Sequence, residues 1–209
     1  MNRVKKIFFG GLLFLPLLLS AQNKDIKAKF EKYTTDSIYK IKNGQIVVTR
    51  IIEGIDGNKD DIYLKVLNFF TQNSDASFII QINDKEDGLF IMKGLFKEFW
   101  TSKLFLVTLD WNCWHIFRTD IKDGRARVTC SFSNMQTKYY EPNQYRNISD
   151  EYNIADYAPF TDKIKDRVKY DKGKQTEAFV HLIETVQNTF DSLEKTLKEE
   201  AIKGVNDNW

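Results

Sequence analysis

Apolar positions change their spacing several times along the chain, and each change marks an element. "GQIVVTRIIEGI" (Gly44 to Ile55) is dense in β-branched residues and predicts a strand. In "GNKDDIYLKVLNFFTQN", Ile62, Tyr63, Val66, Leu67, Phe69 and Phe70 form a stripe at helical spacing. Asn58 or Asp60 is available there as N-cap, with acidic residues in the first turn. "SFIIQIN" and "GLFIMKGLF" predict two strands around the acidic turn "DKED", and Lys103 to Leu109 is a further β-like run. Thr176 to Lys203 predicts a helix, with Phe179, Ile183, Val186, Phe190, Leu193 and Leu197 on one stripe. Between these lies a Tyr-, Asn- and Asp-rich stretch at about 135–175 with no clear period, read as a long insertion. Residues 22–43 are charged and lack a sustained stripe, so they read as a lead-in or tether; 204–209 read as a frayed end. Only one strand-helix-strand step occurs. The expected class is α+β: a mainly antiparallel sheet in the order strand, helix, four or more strands, helix, with both helices on one face.

"HIFRTDIKDGRARVTCSFS" (His115 to Ser133) carries the clearest pairing information. Asp-Gly between alternating apolar residues signals a two-residue hairpin of type I′. With Asp123 and Gly124 in the loop, Lys122 faces Arg125, Asp120 faces Arg127 and Phe117 faces Cys130. One face then carries Phe117, Thr119, Ile121, Ala126, Val128, Cys130 and Phe132, which is a core set. The other carries Trp114, Arg118, Asp120, Lys122, Arg125, Arg127, Thr129 and Ser131, which is a solvent set. This register puts Cys113 about 13 Å along the strand from Cys130, at ~3.3 Å per residue, too far for a disulfide. Cys113, His115 and Cys130 share a face, but the spacing lacks the tight pairs of a zinc site, and His181 is the only other histidine. His115 therefore reads as a residue at the rim of the core. Asp120 absorbs Arg127 in a cross-strand ion pair. Trp114, Arg118 and Arg127 remain the candidate binding residues, with the Trp114 end of the face the place to grip an anionic group, a sugar or a protein.

The N-terminus changes the charge argument. Arg3, Lys5 and Lys6 precede an apolar run, Ile7 to Leu19, followed by Ser20-Ala21. That is the anatomy of a signal peptide (1–21) cleaved after Ala21, and the run is too short for a membrane anchor. No cysteine stands at the cleavage point to take a lipid. Loss of those three cations turns a net charge of +2 into −1, and leaves no positive field suited to nucleic acid. The expected product is one periplasmic or secreted domain (44–203) with no later transmembrane segment and, at 42% apolar and 14% aromatic residues, enough material for a core.

Candidate chemistry is sparse. Reading "DKED" as a calcium loop places Lys85 at a ligand position and finds no closing glutamate. No nucleophile-base set, phosphate loop or metal motif can be nominated, so neither catalysis nor a cofactor is expected. Two non-catalytic readings remain. One is an interaction module that docks onto an envelope protein. The other is a glycan or lipid binder using Tyr139, Tyr140, Tyr145, Tyr152 and Tyr157, rings that could equally fold back on their own sheet.

As an ordered set, "GQIVVTRIIEGIDGNKDDIYLKVLNFFTQN", "INDKEDGLFIMKG", "IKDGRARVTCSF" and the last helix resemble an exported Bacteroidota family known as a domain of unknown function. The resemblance covers about two-thirds of the mature chain. It implies a TATA-binding-protein-like fold and transfers no catalytic residue. Likeness to a DNA-binding saddle does not itself imply DNA binding.

Overall fold

The computed structural model describes residues 14–73, 78–104, 107–141, 146–154 and 169–199. Three helices and eight strands follow in the order α1 (Phe14–Thr35), β1 (Tyr39–Lys42), β2 (Gln45–Glu53), α2 (Lys59–Asn73), β3 (Ile79–Asp84), β4 (Leu89–Leu104), β5 (Val107–Lys122), β6 (Arg125–Phe132), β7 (Asn134–Glu141), β8 (Arg146–Asn153) and α3 (Lys169–Lys198). The strands form one curved antiparallel sheet in the order β1-β2-β6-β5-β4-β3, with β7 paired to the first part of β5 and β8 to β7.

The core lies between one face of this sheet and α2 and α3. The expected stripes are the buried ones: Ile62, Val66, Phe69 and Phe70 on α2, and Phe179, Ile183, Val186, Phe190, Leu193 and Leu197 on α3. They meet Val48, Ile52, Phe90, Met92, Phe117, Val128 and Cys130 from the sheet. Rings close the joint, with Phe70 centred 5.6 Å from Phe90 and 5.3 Å from Phe117, and Phe117 6.0 Å from Phe190. Helix α2 starts where its sequence indicates, because Asn58 Oδ1 accepts the backbone N–H groups of Asp60 and Asp61 (2.9 and 3.0 Å).

The β5–β6 hairpin has the expected register throughout, from Lys122 opposite Arg125 to Phe117 opposite Cys130. Its turn differs from expectation. Gly124 takes φ of 69°, but among the described residues only Ser37, Asn43 and Glu98 combine a side chain with positive φ. Asp123 is therefore outside the left-handed region, and the turn is not type I′. The loop is instead held by contacts with other elements: Asp123 Oδ1 accepts the Lys59 N–H at the start of α2 (2.7 Å), and Gly124 C=O accepts the Ile55 N–H (3.0 Å).

Other expectations are corrected. Residues 22–43 are not a free tether. Phe30 of α1 packs edge-on against Phe179 at 6.1 Å, Lys29 reaches Glu184 at 3.0 Å, and Tyr39–Lys42 is a strand. Asn43 and Gly44, with φ of 50° and 74°, make the two-residue turn into β2. Cleavage after Ala21 would leave Gln22–Thr35 of α1 in place. Lys103 to Leu109 is not one strand but the end of β4 and the start of β5, Leu104 pairing with Val107. Part of the expected 135–175 insertion is the β7–β8 hairpin and the first turns of α3, which starts at Lys169 and ends at Lys198, shorter than the expected span at its C-terminal end. The rest of that insertion, the first 13 residues of the expected signal segment and the expected frayed end lie outside the described residues.

Ser133 explains why β7 escaped a period-two reading. Ile116 pairs with Ser131, whereas Cys113 pairs with Met135, so one extra residue is inserted opposite β5. The even positions of β6 face the core; after the bulge the odd ones do, Met135 and Thr137 being 1% and 2% exposed.

Gly88, at the start of β4, has φ of 65°, and a Cβ there would stand 2.5 Å from the Ile121 carbonyl oxygen. The same residue accepts the Ile121 N–H at 2.8 Å. Gly88→Ala is expected to cost at least about 2 kcal/mol, combining left-handed strain with a backbone clash. Urea denaturation of the variant measures this.

Candidate functional site

Two features stand on opposite faces of the sheet. The first is the face turned away from the helices. Registers across β2-β6-β5-β4-β3 place Val47, Ser131, Ile116, Lys93 and Ile79 in one row and Thr49, Thr129, Arg118, Ile91 and Ile82 in the next. Ile51, Arg127, Asp120 and Leu89 follow in a third. Several apolar members are well exposed: Ile51 by 61%, Ile79 by 64%, Ile82 by 40% and Trp114 by 41%.

Arg118 and Arg127 are brought together by Asp120. Arg118 grips that carboxylate in a fork, Nε at 3.1 Å from both oxygens and an Nη at 2.7 Å, while Arg127 reaches it at 3.1 Å. The Arg118 hydrogen bonds hold the Asp120 carboxyl below the usual carboxylate range, with Arg127 adding to the effect and burial opposing it. The three side chains leave one net positive charge. Trp114 is not part of this cluster. It lies four residues from Arg118 on the same strand, about 13 Å away at the strand rise, and its ring is covered by Lys93 Nζ at 5.0 Å from the centroid.

The second feature is a cavity of about 470 Å³ on the helix side, between the end of α2, the middle of α3 and the β4–β5 ladder. A bulge shapes it. The register shifts between Phe96 and Trp100, and Glu98 takes φ of 49°. Asn112, buried opposite, fills the broken ladder by accepting the Glu98 N–H on Oδ1 (3.0 Å) and donating Nδ2–H to the Asp110 carbonyl (3.2 Å).

His115 belongs to this cavity rather than to a metal site. It is 5% exposed, stacked on Phe96 with centroids 3.8 Å apart, and its Nδ1 has no hydrogen-bond partner. Burial pushes its pKa down to about 4, a backbone hydrogen bond with Cys113 acting in the other direction. Cys113 and Cys130 are free buried thiols, both pushed up by burial. His181 sits on α3, bonded to Glu184 at 3.1 Å and stacked on Trp100 at 5.2 Å. Among the described residues, no group of three His, Cys, Asp or Glu is placed to hold a metal ion.

Of the tyrosines, Tyr152 lies against Trp111 with centroids 5.7 Å apart, folded back on its own sheet. Tyr139 is half-buried, and the side chains of Tyr140, Tyr145 and Tyr157 lie outside the described residues. The sequence reading missed the cavity. A signal for it exists on α3: Thr185, Asn188, Thr189 and Ser192 repeat at helical spacing beside the apolar stripe, and all four line the cavity.

No family model matches the chain, and no curated protein matches it either. Solved structures do. A TBP-like protein from Parabacteroides distasonis superposes with a TM-score of 0.56 over 78% of this chain and 98% of its own, at 14% identity. A DUF4468 family protein from Bacteroides ovatus gives 0.51 over 78% of this chain and 94% of its own, at 13% identity. The fold is TBP-like. At these identities the likeness concerns architecture alone. No helix among the described residues is long and apolar enough to cross a membrane.

Proposed function

We propose that this chain is an exported, non-catalytic module that docks onto another exported protein through the open face of its sheet, with Trp114, Arg118 and Arg127 in the contact. The observation that carries the reading is the face itself: exposed isoleucines and a tryptophan surround a charge cluster, and both main helices lie on the other side. Tryptophan and arginine are the residues most enriched where protein interfaces bind strongly. The −1 charge of the mature chain and the charge pairing at Asp120 argue against a nucleic acid on this TBP-like surface. The non-catalytic half of the reading is supported by chemistry tied up elsewhere: two thiols held protonated by burial, and a histidine without a carboxylate partner.

The test is crosslinked capture from native envelopes with the tagged mature chain, run beside the Trp114→Ala/Arg118→Ala/Arg127→Ala variant. The wild type is expected to retain one partner reproducibly, and the variant to lose it or bind at least about tenfold more weakly. Because Arg118 and Arg127 pair with Asp120 and Trp114 packs under Lys93, urea unfolding of the variant is measured alongside to show that it is folded. Retention of the same partner by the variant would remove this face from the contact.

A further inference from the structure

From the cavity beneath the β4 bulge we infer a second site: it binds a lipophilic acid, with the tail among phenylalanines and the single carboxylate at Lys97. The volume, about 470 Å³, lies within the range of small-molecule pockets and far above the space of a single trapped water. Most of the wall is phenylalanine: Phe69 and Phe70 from α2, Phe96 and Phe99 from β4, Phe117 from β5, with Phe78 before β3. Two threonines of α3 do not change that character. The hydroxyls of Thr185 and Thr189 are turned into their own helix, donating to the carbonyls of His181 and Thr185 at 2.9 Å each. His115 contributes a ring stacked on Phe96, and its Nδ1 is closed off by burial, so the imidazole is part of the wall.

Charge decides the class of ligand. Among the described residues that line the cavity, Lys97 is the only one charged at neutral pH. Its Nζ stands 3.8 Å from the Glu98 carboxylate, beyond hydrogen-bond length, and both side chains are exposed. The ammonium therefore keeps its donors for a ligand, and one carboxylate matches its one charge. Lys97, Asn188 and Ser192 are the exposed members of the lining, so the cation stands where the cavity meets solvent. A carboxylate bound there keeps part of its hydration while the tail leaves water, which avoids burying an unpaired charge. A cationic head would meet Lys97 with no acidic group among those lining residues, and a doubly charged phosphate would find no second cation. An alkyl tail and a fused ring share this chemistry.

Trp114, Arg118 and Arg127 do not line the cavity, so this proposal and the docking face can fail separately. The experiment titrates the purified chain at neutral pH with decanoate and naphthoate, each beside its alcohol, decanol or naphthol, and with decylammonium. Heat or intrinsic fluorescence follows the binding. At least one acid is expected to saturate a single site at least about threefold more tightly than its alcohol, the reach of an exposed ion pair, with decylammonium weakest. In Lys97→Met the preference for the acid should vanish while the alcohol binds as before. In Lys97→Glu the order should reverse, decylammonium overtaking decanoate. In Ser192→Trp, an exposed change that plugs the mouth, acid and alcohol alike should weaken at least about tenfold. The better acid identifies a chain or a ring as the tail. Absence of saturable binding by both acids overturns the site, as does an acid preference that survives in Lys97→Met or unchanged binding in Ser192→Trp.

Discussion

Phe117→Ala is expected to destabilise the protein by about 3–5 kcal/mol, the largest loss for any single substitution considered. Phe117 is 1% exposed and joins four elements at once. Its ring centroid lies 5.3 Å from Phe70 on α2, 6.1 Å from Phe96 on β4, 4.9 Å from His115 on its own strand and 6.0 Å from Phe190 on α3. Truncation removes the piece through which both helices grip the sheet. It also enlarges an existing cavity, so neighbours gain little by collapsing into the space. Urea unfolding measures the effect. A loss below about 1 kcal/mol would mean that the helices are held by other contacts.

The second large effect depends on pH. His115 titrates near 4 in the folded chain and near its ordinary 6.5 when unfolded. Its folded pKa is lowered, so between those values the unfolded state binds the extra proton. Its neutral, buried form is therefore fully compatible with folding above pH 6.5, and stability falls as pH drops from 6.5 towards 4. At 1.36 kcal/mol per pH unit the fall approaches about 3 kcal/mol. His115→Phe should abolish this component. Unfolding free energies of wild type and variant, compared at neutral pH and again near pH 4.5, isolate it from the carboxylates, which titrate in both proteins. Parallel pH dependence in the two proteins would show that the imidazole is not protected from protonation in the fold.

Much of the architecture was legible because it is set by local rules. The β5–β6 register follows from alternation around Asp123-Gly124, and the buried faces of α2 and α3 follow from apolar spacing. The Asn58 cap was readable too. The failures have physical reasons. Asn43-Gly44 was itself a hairpin signal, but the lysines of "YKIK" conceal strand β1, three of whose four residues face solvent. The bulge at Ser133 reverses which alternate residues are buried, so β6 and β7 cannot be read as one period. The bulge at Phe96–Trp100 depends on Asn112, sixteen positions beyond Phe96, and lets β4 and β5 run for 16 residues each, past any single pattern. Trp114 and Arg118 alternate onto the same face of β5. The strand rise keeps them apart, and Lys93 from the neighbouring strand takes the tryptophan instead. The cavity needs four elements at once, and only the small polar repeat on α3 hinted at it.

The central claim is that the open face of the sheet is covered in the native setting. Oxidative footprinting of Trp114 tests it most directly, comparing the protein in intact envelopes, where the proposed export would place it, with the purified chain. Trp114 is 41% exposed alone, while Trp111, at 2%, serves as the internal reference. Labelling of Trp114 is expected to fall severalfold in the envelope with Trp111 unchanged. Equal labelling of Trp114 in both settings would contradict the account.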